Sequence, residues 1–199
     1  MRLAALLRVY GARGFQRSPE TRVYCCNGMA ARVYEQFIDR GSSRLIIADL
    51  AEIAGRTYPA RRRTQNLVGG ASPIQATNFS MGCVTLEPHG GQVPWHNQEQ
   101  EEIYLILEGE GEMCLGSERT AVKPGQAVYI PPGVYHQLTN TSANKMRMIY
   151  CYGPAGAVAH WRQELEGTLP RAGVEAPALP AGSQPQHLGI GRTVDQDMR

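Results

Sequence analysis

GGQVPWHNQEQEEIYLILEGEGEMCLGSERTAVKPGQAVYIPPGVYHQLTN, residues 90–140, decides how this chain is read. His96 and Gln98 lie two apart, so on a strand both side chains leave the same face. Glu102 follows at a further even offset, and the run EIYLIL after it has the composition of a strand. Gly109 and Gly111 end that run where a tight turn would leave no room for a Cβ. The second half repeats the logic. Pro124-Gly125 makes a turn, AVYI is a short apolar strand, and Pro131-Pro132-Gly133 bends the chain rigidly before VYHQLTN, which carries His136. His96, Gln98, Glu102 and His136 are the candidate metal ligands.

The spacing carries a resemblance. Gly90, five residues, His96, one, Gln98, three, Glu102, six and Gly109 resemble the first motif of the cupin superfamily, with Gln98 where that motif has a second histidine. Gly125, five residues, Pro131, one, Gly133, two, His136, three and Asn140 match its second motif at every position. Residues 110–124 separate the two, similar to the short inter-motif loop of single-domain microbial cupins. The resemblance implies an all-β fold, a cupin-type jelly-roll β-barrel with flanking short helices, and a metal site of the three-His-one-Glu kind.

The donors themselves argue for a metal. His96 and His136 offer neutral imidazole nitrogens, and Glu102 offers a carboxylate that balances part of a divalent charge. Two histidines and one carboxylate leave coordination positions open and favour ferrous iron, with zinc, manganese or nickel as alternatives. Gln98 brings only a neutral amide oxygen. It either binds as a fourth ligand or stands back and holds a bound water. Asn140 reads as a turn or supporting residue, Glu101 as solvated, and His89 as a surface loop residue.

Strands are expected on both sides of this stretch. Ala76–Glu87 alternates and ends at Pro88; Glu101–Leu107, Glu112–Leu115, Arg119–Val122, Ala127–Ile130, Tyr135–Asn140 and Lys145–Tyr152 follow at short, punctuated intervals. The β core is therefore placed at residues 66–153. Even offsets point Tyr104, Ile106 and Leu138 inward, and the last strand is framed with Met146, Met148, Tyr150 and Tyr152 inside. Tyr104 and Tyr150 are the candidate catalytic residues, able to orient a substrate and exchange a proton.

Further out the pattern changes. Residues 1–28 read as a disordered basic leader, and residues 29–65 as a helical arm, with helices expected over Ala30–Ile38 and Ser43–Ala54. Arg61-Arg62-Arg63 reads as a solvated run, with one of them open to recruitment by an anionic substrate at the barrel mouth. A closing helix falls within residues 154–168, where His160 and Trp161 read as helix packing, or alternatively as a lid on the pocket. Residues 169–199, with Pro170, Pro177, Pro180 and Pro185, read as an extended or disordered tail.

Composition removes some classes. The chain has 199 residues and a net charge of +2, with 12 of its 20 basic and 5 of its 18 acidic residues in residues 1–63. No basic-plus-aromatic strand pattern and no helix-turn-helix is evident, so no nucleic acid is expected as a partner. No run is long enough to span a membrane. The five cysteines are odd in number, fit no zinc or disulfide framework, and read as free thiols of a cytoplasmic protein. The expected partners are a small-molecule substrate and a second copy in a homodimer. Two function classes stay open. One is a metal-dependent cupin enzyme on a small organic molecule: an O2-using dioxygenase or carbon–carbon cleavage, or a non-redox lyase, isomerase, decarboxylase or cyclase. The other is a non-catalytic small-molecule-binding cupin.

Overall fold

Alternating apolar residues can be buried on one face only if two sheets face each other, and this chain adopts that solution. The computed structural model describes residues 44–189 and 192–193. The leader (1–28) and the first helix of the expected arm (30–38) lie outside the described residues, as do Cys25 and Cys26. The strands are β1 (Arg56–Tyr58), β2 (Arg62–Val68), β3 (Ser80–Leu86), β4 (Gln92–His96), β5 (Glu101–Glu108), β6 (Gly111–Leu115), β7 (Glu118–Val122), β8 (Ala127–Ile130), β9 (His136–Asn140) and β10 (Met146–Gly153). Helix α1 (Ala159–Glu166) and the short strands β11 (His187–Gly189) and β12 (Arg192–Thr193) follow. One sheet has the order β1-β2-β3-β10-β5-β8 and the other β4-β9-β6-β7, all pairs antiparallel. This is an all-β jelly-roll barrel.

The core lies between the two sheets. β5 alternates exposed and buried residues, so Glu102, Tyr104 and Ile106 point inward. β10 does the same with Met146, Met148, Tyr150 and Tyr152, and pairs Tyr150 with Tyr104 and Tyr152 with Glu102. Val93, Met113, Val122 and Leu138 meet them from the other sheet. Gly109 (φ 78°) turns β5 into β6, and a Cβ there would sit 2.8 Å from the Lys145 carbonyl oxygen. Only glycine takes both that conformation and that contact.

Three expectations need correcting. Residues 44–54 form no helix. Leu45, Ile46 and Ile47 are exposed, so their apolar pattern has no surface to bury against. The carbonyls of Leu50, Ile53 and Ala54 instead accept hydrogen bonds from the Gln65 and Arg63 side chains. The β structure also starts before residue 66: β1 and β2 pair from Arg56 onward and carry the chain into the larger sheet.

The C-terminal segment is the third. Residues 169–189 are extended in large part, but they are packed along the outside of β4 and β9. Trp95 Nε1 donates to the Pro177 carbonyl (2.9 Å) and Gln137 Nε2 to that of Gln184 (2.8 Å). The Gln186 side chain, fully buried, donates to the Trp95 and Pro170 carbonyls and accepts from Ala172 N–H. A second apolar cluster of Trp95, Cys114 and Ala176 seals this contact. β4 and β9 are consequently buried at every residue, inward by the core and outward by this strap. Among the described residues Cys83, Cys114 and Cys151 are free thiols, and no helix is long and apolar enough to cross a membrane.

Candidate metal centre

Three strand ends bring the donors together. His96 is the last residue of β4 and His136 the first of β9, and the two are direct partners in the antiparallel ladder. Their ring centroids lie 4.1 Å apart. Glu102 reaches them from β5 in the opposite sheet, its Oε2 3.4 Å from His136 Nε2. One donor atom from each of His96, Glu102 and His136 lies within 4.8 Å of the others, and all three residues are buried.

The backbone sets which nitrogen faces inward. His96 Nδ1 is 2.7 Å from the Pro94 carbonyl oxygen, and His136 Nδ1 is 3.0 Å from that of Val134. A carbonyl only accepts, so each Nδ1 carries the proton and each Nε2 presents a lone pair. Those two Nε2 atoms and Glu102 Oε2 are buried and have no hydrogen-bond partner in the protein. Buried polar atoms are almost always paired, so three orphans converging on one point form a set that a metal ion would satisfy. Burial, helped by neighbouring His136, pushes the His96 imidazole well below its usual range and keeps it neutral. The donor set therefore fits a divalent cation.

Gln98 is buried as well, and both atoms of its amide lack a partner. Its backbone carbonyl accepts from Gly133 N–H at 2.7 Å, which ties it to the Pro131-Pro132-Gly133 turn that feeds His136.

A small cavity of about 10 Å³ adjoins the donors, roughly the space of one water. Glu102, Tyr104, Tyr150 and Tyr152 line it from the larger sheet. Burial raises all three phenols above their ordinary range, most strongly Tyr104 and Tyr150, with Glu102 adding to the effect at Tyr104. They are neutral hydrogen-bonding groups. Tyr150 Oη donates to Asn66 Oδ1 (2.7 Å) and Tyr152 Oη to the Gly156 carbonyl (2.6 Å). Gly82 makes room for this arrangement, since a Cβ there would come within 2.6 Å of Tyr150 Oη.

Two parts of the sequence reading are overturned. The arginine run is not wholly solvated: Arg62 is buried, lines the cavity, packs over the Tyr58 ring at 4.1 Å and forms an ion pair with buried Glu164 of α1. Arg61 and Arg63 are exposed and bind backbone carbonyls. His160 does more than pack a helix. Its ring lies against that of His96 at 3.6 Å between centroids, tilted by 37°, and both of its nitrogens are buried without a partner. Burial, with His96 and Arg62 nearby, pushes its imidazole well below the usual range. Trp161 meets the Tyr150 ring edge-on at 6.0 Å. The only sequence signal for this face is the i,i+4 spacing of His160 and Glu164, the two buried residues of α1. Asn140 is structural: its amide donates to the Leu86, Glu87 and Asn144 carbonyls.

A model of the cupin domain matches residues 82–152. An uncharacterized protein of Methanocaldococcus jannaschii is 38% identical over 68 residues, which cover 34% of this chain and 54% of that protein. Uncharacterized YdbB of Bacillus subtilis is 31% identical over 84 residues, covering 38% of this chain and 74% of that protein. Among solved structures, KdgF from Halomonas sp. superposes with a TM-score of 0.50 at 15% identity, over 57% of this chain and 96% of that one; at that identity the likeness concerns the fold. The matched span runs from the middle of β3 through β10 and contains both motif halves with the donors they aim into one barrel, so this chain belongs to the cupin superfamily.

Proposed function

We propose that this chain is a metal-dependent enzyme in which His96, Glu102 and His136 hold one divalent cation, Fe(II) by preference, and a small organic molecule is oxygenated or cleaved with O2. The observation that carries the reading is the trio of buried, partnerless donor atoms, two of them imidazole nitrogens turned inward by backbone carbonyls. A ferrous ion in such a set would supply redox chemistry and Lewis acidity at open coordination positions.

This chain's own residues would do the rest. The Glu102 carboxylate offsets part of the cation's charge. Tyr104 and Tyr150, as neutral phenols beside it, would orient an oxygen-bearing substrate by hydrogen bonding and hold a proton at their Oη atoms. The stacked rings of Tyr150 and Tyr152, 5.7 Å apart, suit a flat, partly apolar body. Arg62 lines the same cavity with its charge already balanced by Glu164.

The test is reconstitution with Fe(II), and separately with zinc, manganese and nickel. Small enols, catechol-like compounds and hydroxy-ketones are then screened with an oxygen electrode. Oxygen uptake with Fe(II) alone is the expected result. Turnover that continues without O2 on a redox-inert ion would replace this reading with a lyase or isomerase. Tight binding of a compound with no turnover under either condition would leave a small-molecule-binding cupin.

A further inference from the structure

We propose that His160, delivered by helix α1, is a fourth and exchangeable donor to the cation, standing in for the histidine that the first motif lacks at Gln98. The inference rests on the metal reading above.

The helix is docked in a way that an apolar packing element is not. Its two buried residues are His160 and Glu164, one turn apart on the same face. Glu164, with no exposed surface, is held by Arg62 and by the Ala60 N–H (3.0 Å). That anchor fixes the helix and places the His160 ring against His96. Leucine at 160 would fill the same space without burying two unsatisfied nitrogens. An imidazole with both nitrogens unpaired, lining the same cavity as Glu102, has the chemistry of a ligand.

Gln98 leaves room for this. An amide oxygen is a weak donor, so a site with two imidazoles and one carboxylate has a position for a stronger one. His160 comes from a helix rather than from a barrel strand, so its release from the ion breaks no ladder hydrogen bond. The cavity with α1 in place has space for about one water, and an organic substrate needs more. The position held by His160 is therefore the one a substrate would take over.

The experiment loads the full chain with Cu(II) and counts coordinated imidazoles by pulsed electron paramagnetic resonance, alongside Zn(II) affinity by chelator competition. The variants are His160→Phe, which keeps an aromatic ring in the space, His160→Gln as a second replacement should the first fail to fold, and His160→Phe with Gln98→His. The parent should show three imidazoles and either single variant two, with Zn(II) affinity lower by about tenfold or more. Gln98→His should restore the third imidazole. An unchanged count and an affinity within about twofold in a folded His160 variant would overturn the proposal. His96→Ala is the control that separates the two readings: if it too leaves metal binding unchanged, the metal site itself is wrong, whereas loss there with no effect at His160 refutes only the fourth donor.

Discussion

The two faces that close on this cavity are built differently. The strand face carries His96, Glu102 and His136 on barrel strands, with ladder hydrogen bonds along each strand and, for the histidines, a backbone carbonyl on each Nδ1. The helix face carries His160 and Glu164 on one eight-residue helix, held largely by a buried ion pair and ring contacts. The first face is rigid because each side chain is fixed by elements that exist without the ligand. The second has no ladder behind it and is held by the Glu164 anchor and ring contacts, so its ring can be released without disturbing the barrel. A stiff set of permanent donors opposite a releasable one is suited to a site that must both retain a cation and admit a substrate.

The largest effect should come from the strand face. His96→Ala or His136→Ala should lower metal affinity by at least about 100-fold, read as metal content after dialysis against a weak chelator. Retained metal in both variants would remove the distinction between the two faces altogether.

A second effect, read in stability rather than in metal affinity, tests the anchor of the helix face. Glu164→Leu strands the Arg62 charge in the core and should cost about 3–5 kcal/mol in urea unfolding. Pairing it with Arg62→Met should recover much of that loss, because two apolar groups need no partner. The three strand donors should still bind metal in the double variant, so equal loss of metal there would show that the faces are one unit.

A smaller effect is expected outside the barrel, where the strap backs the strand face. Gln186→Ala removes two donated bonds and one accepted bond around Trp95 and should cost about 1–3 kcal/mol, with no change in the number of coordinated imidazoles. A changed count would mean that the strap positions His96 through β4.

The smallest effect concerns the phenols between the faces. Tyr150→Phe should cost about 1 kcal/mol, the worth of the Asn66 hydrogen bond. The buried phenols have folded values raised above the unfolded value of about 10, so their contribution is complete below pH 10 and is lost as the pH climbs past it. Tyrosinate absorbance of the folded protein should show Tyr104 and Tyr150 silent at pH 10.5, then appearing together with unfolding. Titration of either in the intact fold near pH 10 would make it a base rather than a neutral donor.

Much of the strand face was legible in the residues alone. Strand period two turns Glu102, Tyr104 and Ile106 inward together on β5, and the glycine and proline punctuation sets where β5, β6, β8 and β9 begin and end. His96 stands on β4 in the other sheet, so the even offset to Glu102 is not what brings the two together. The inward frame of β10 followed from the same alternation. The apolar residues at 45–47 misled because helical spacing is only an opportunity for burial, and nothing among the described residues covers them.

Sequence by itself therefore determined the punctuated all-β strand pattern, and the resemblance to the cupin motifs picked out three residues that the fold brings together as candidate donors. Tertiary structure alone decided that Arg62 leaves an exposed run to meet Glu164, that His160 lies on His96, and that the proline-bearing segment becomes a strap. Those pairings join residues 102, 64 and 82 positions apart, respectively Arg62 to Glu164, His96 to His160 and Trp95 to Pro177. No periodicity reaches so far; only the closing of the barrel brings such residues within contact, and burial then leaves them no other partners.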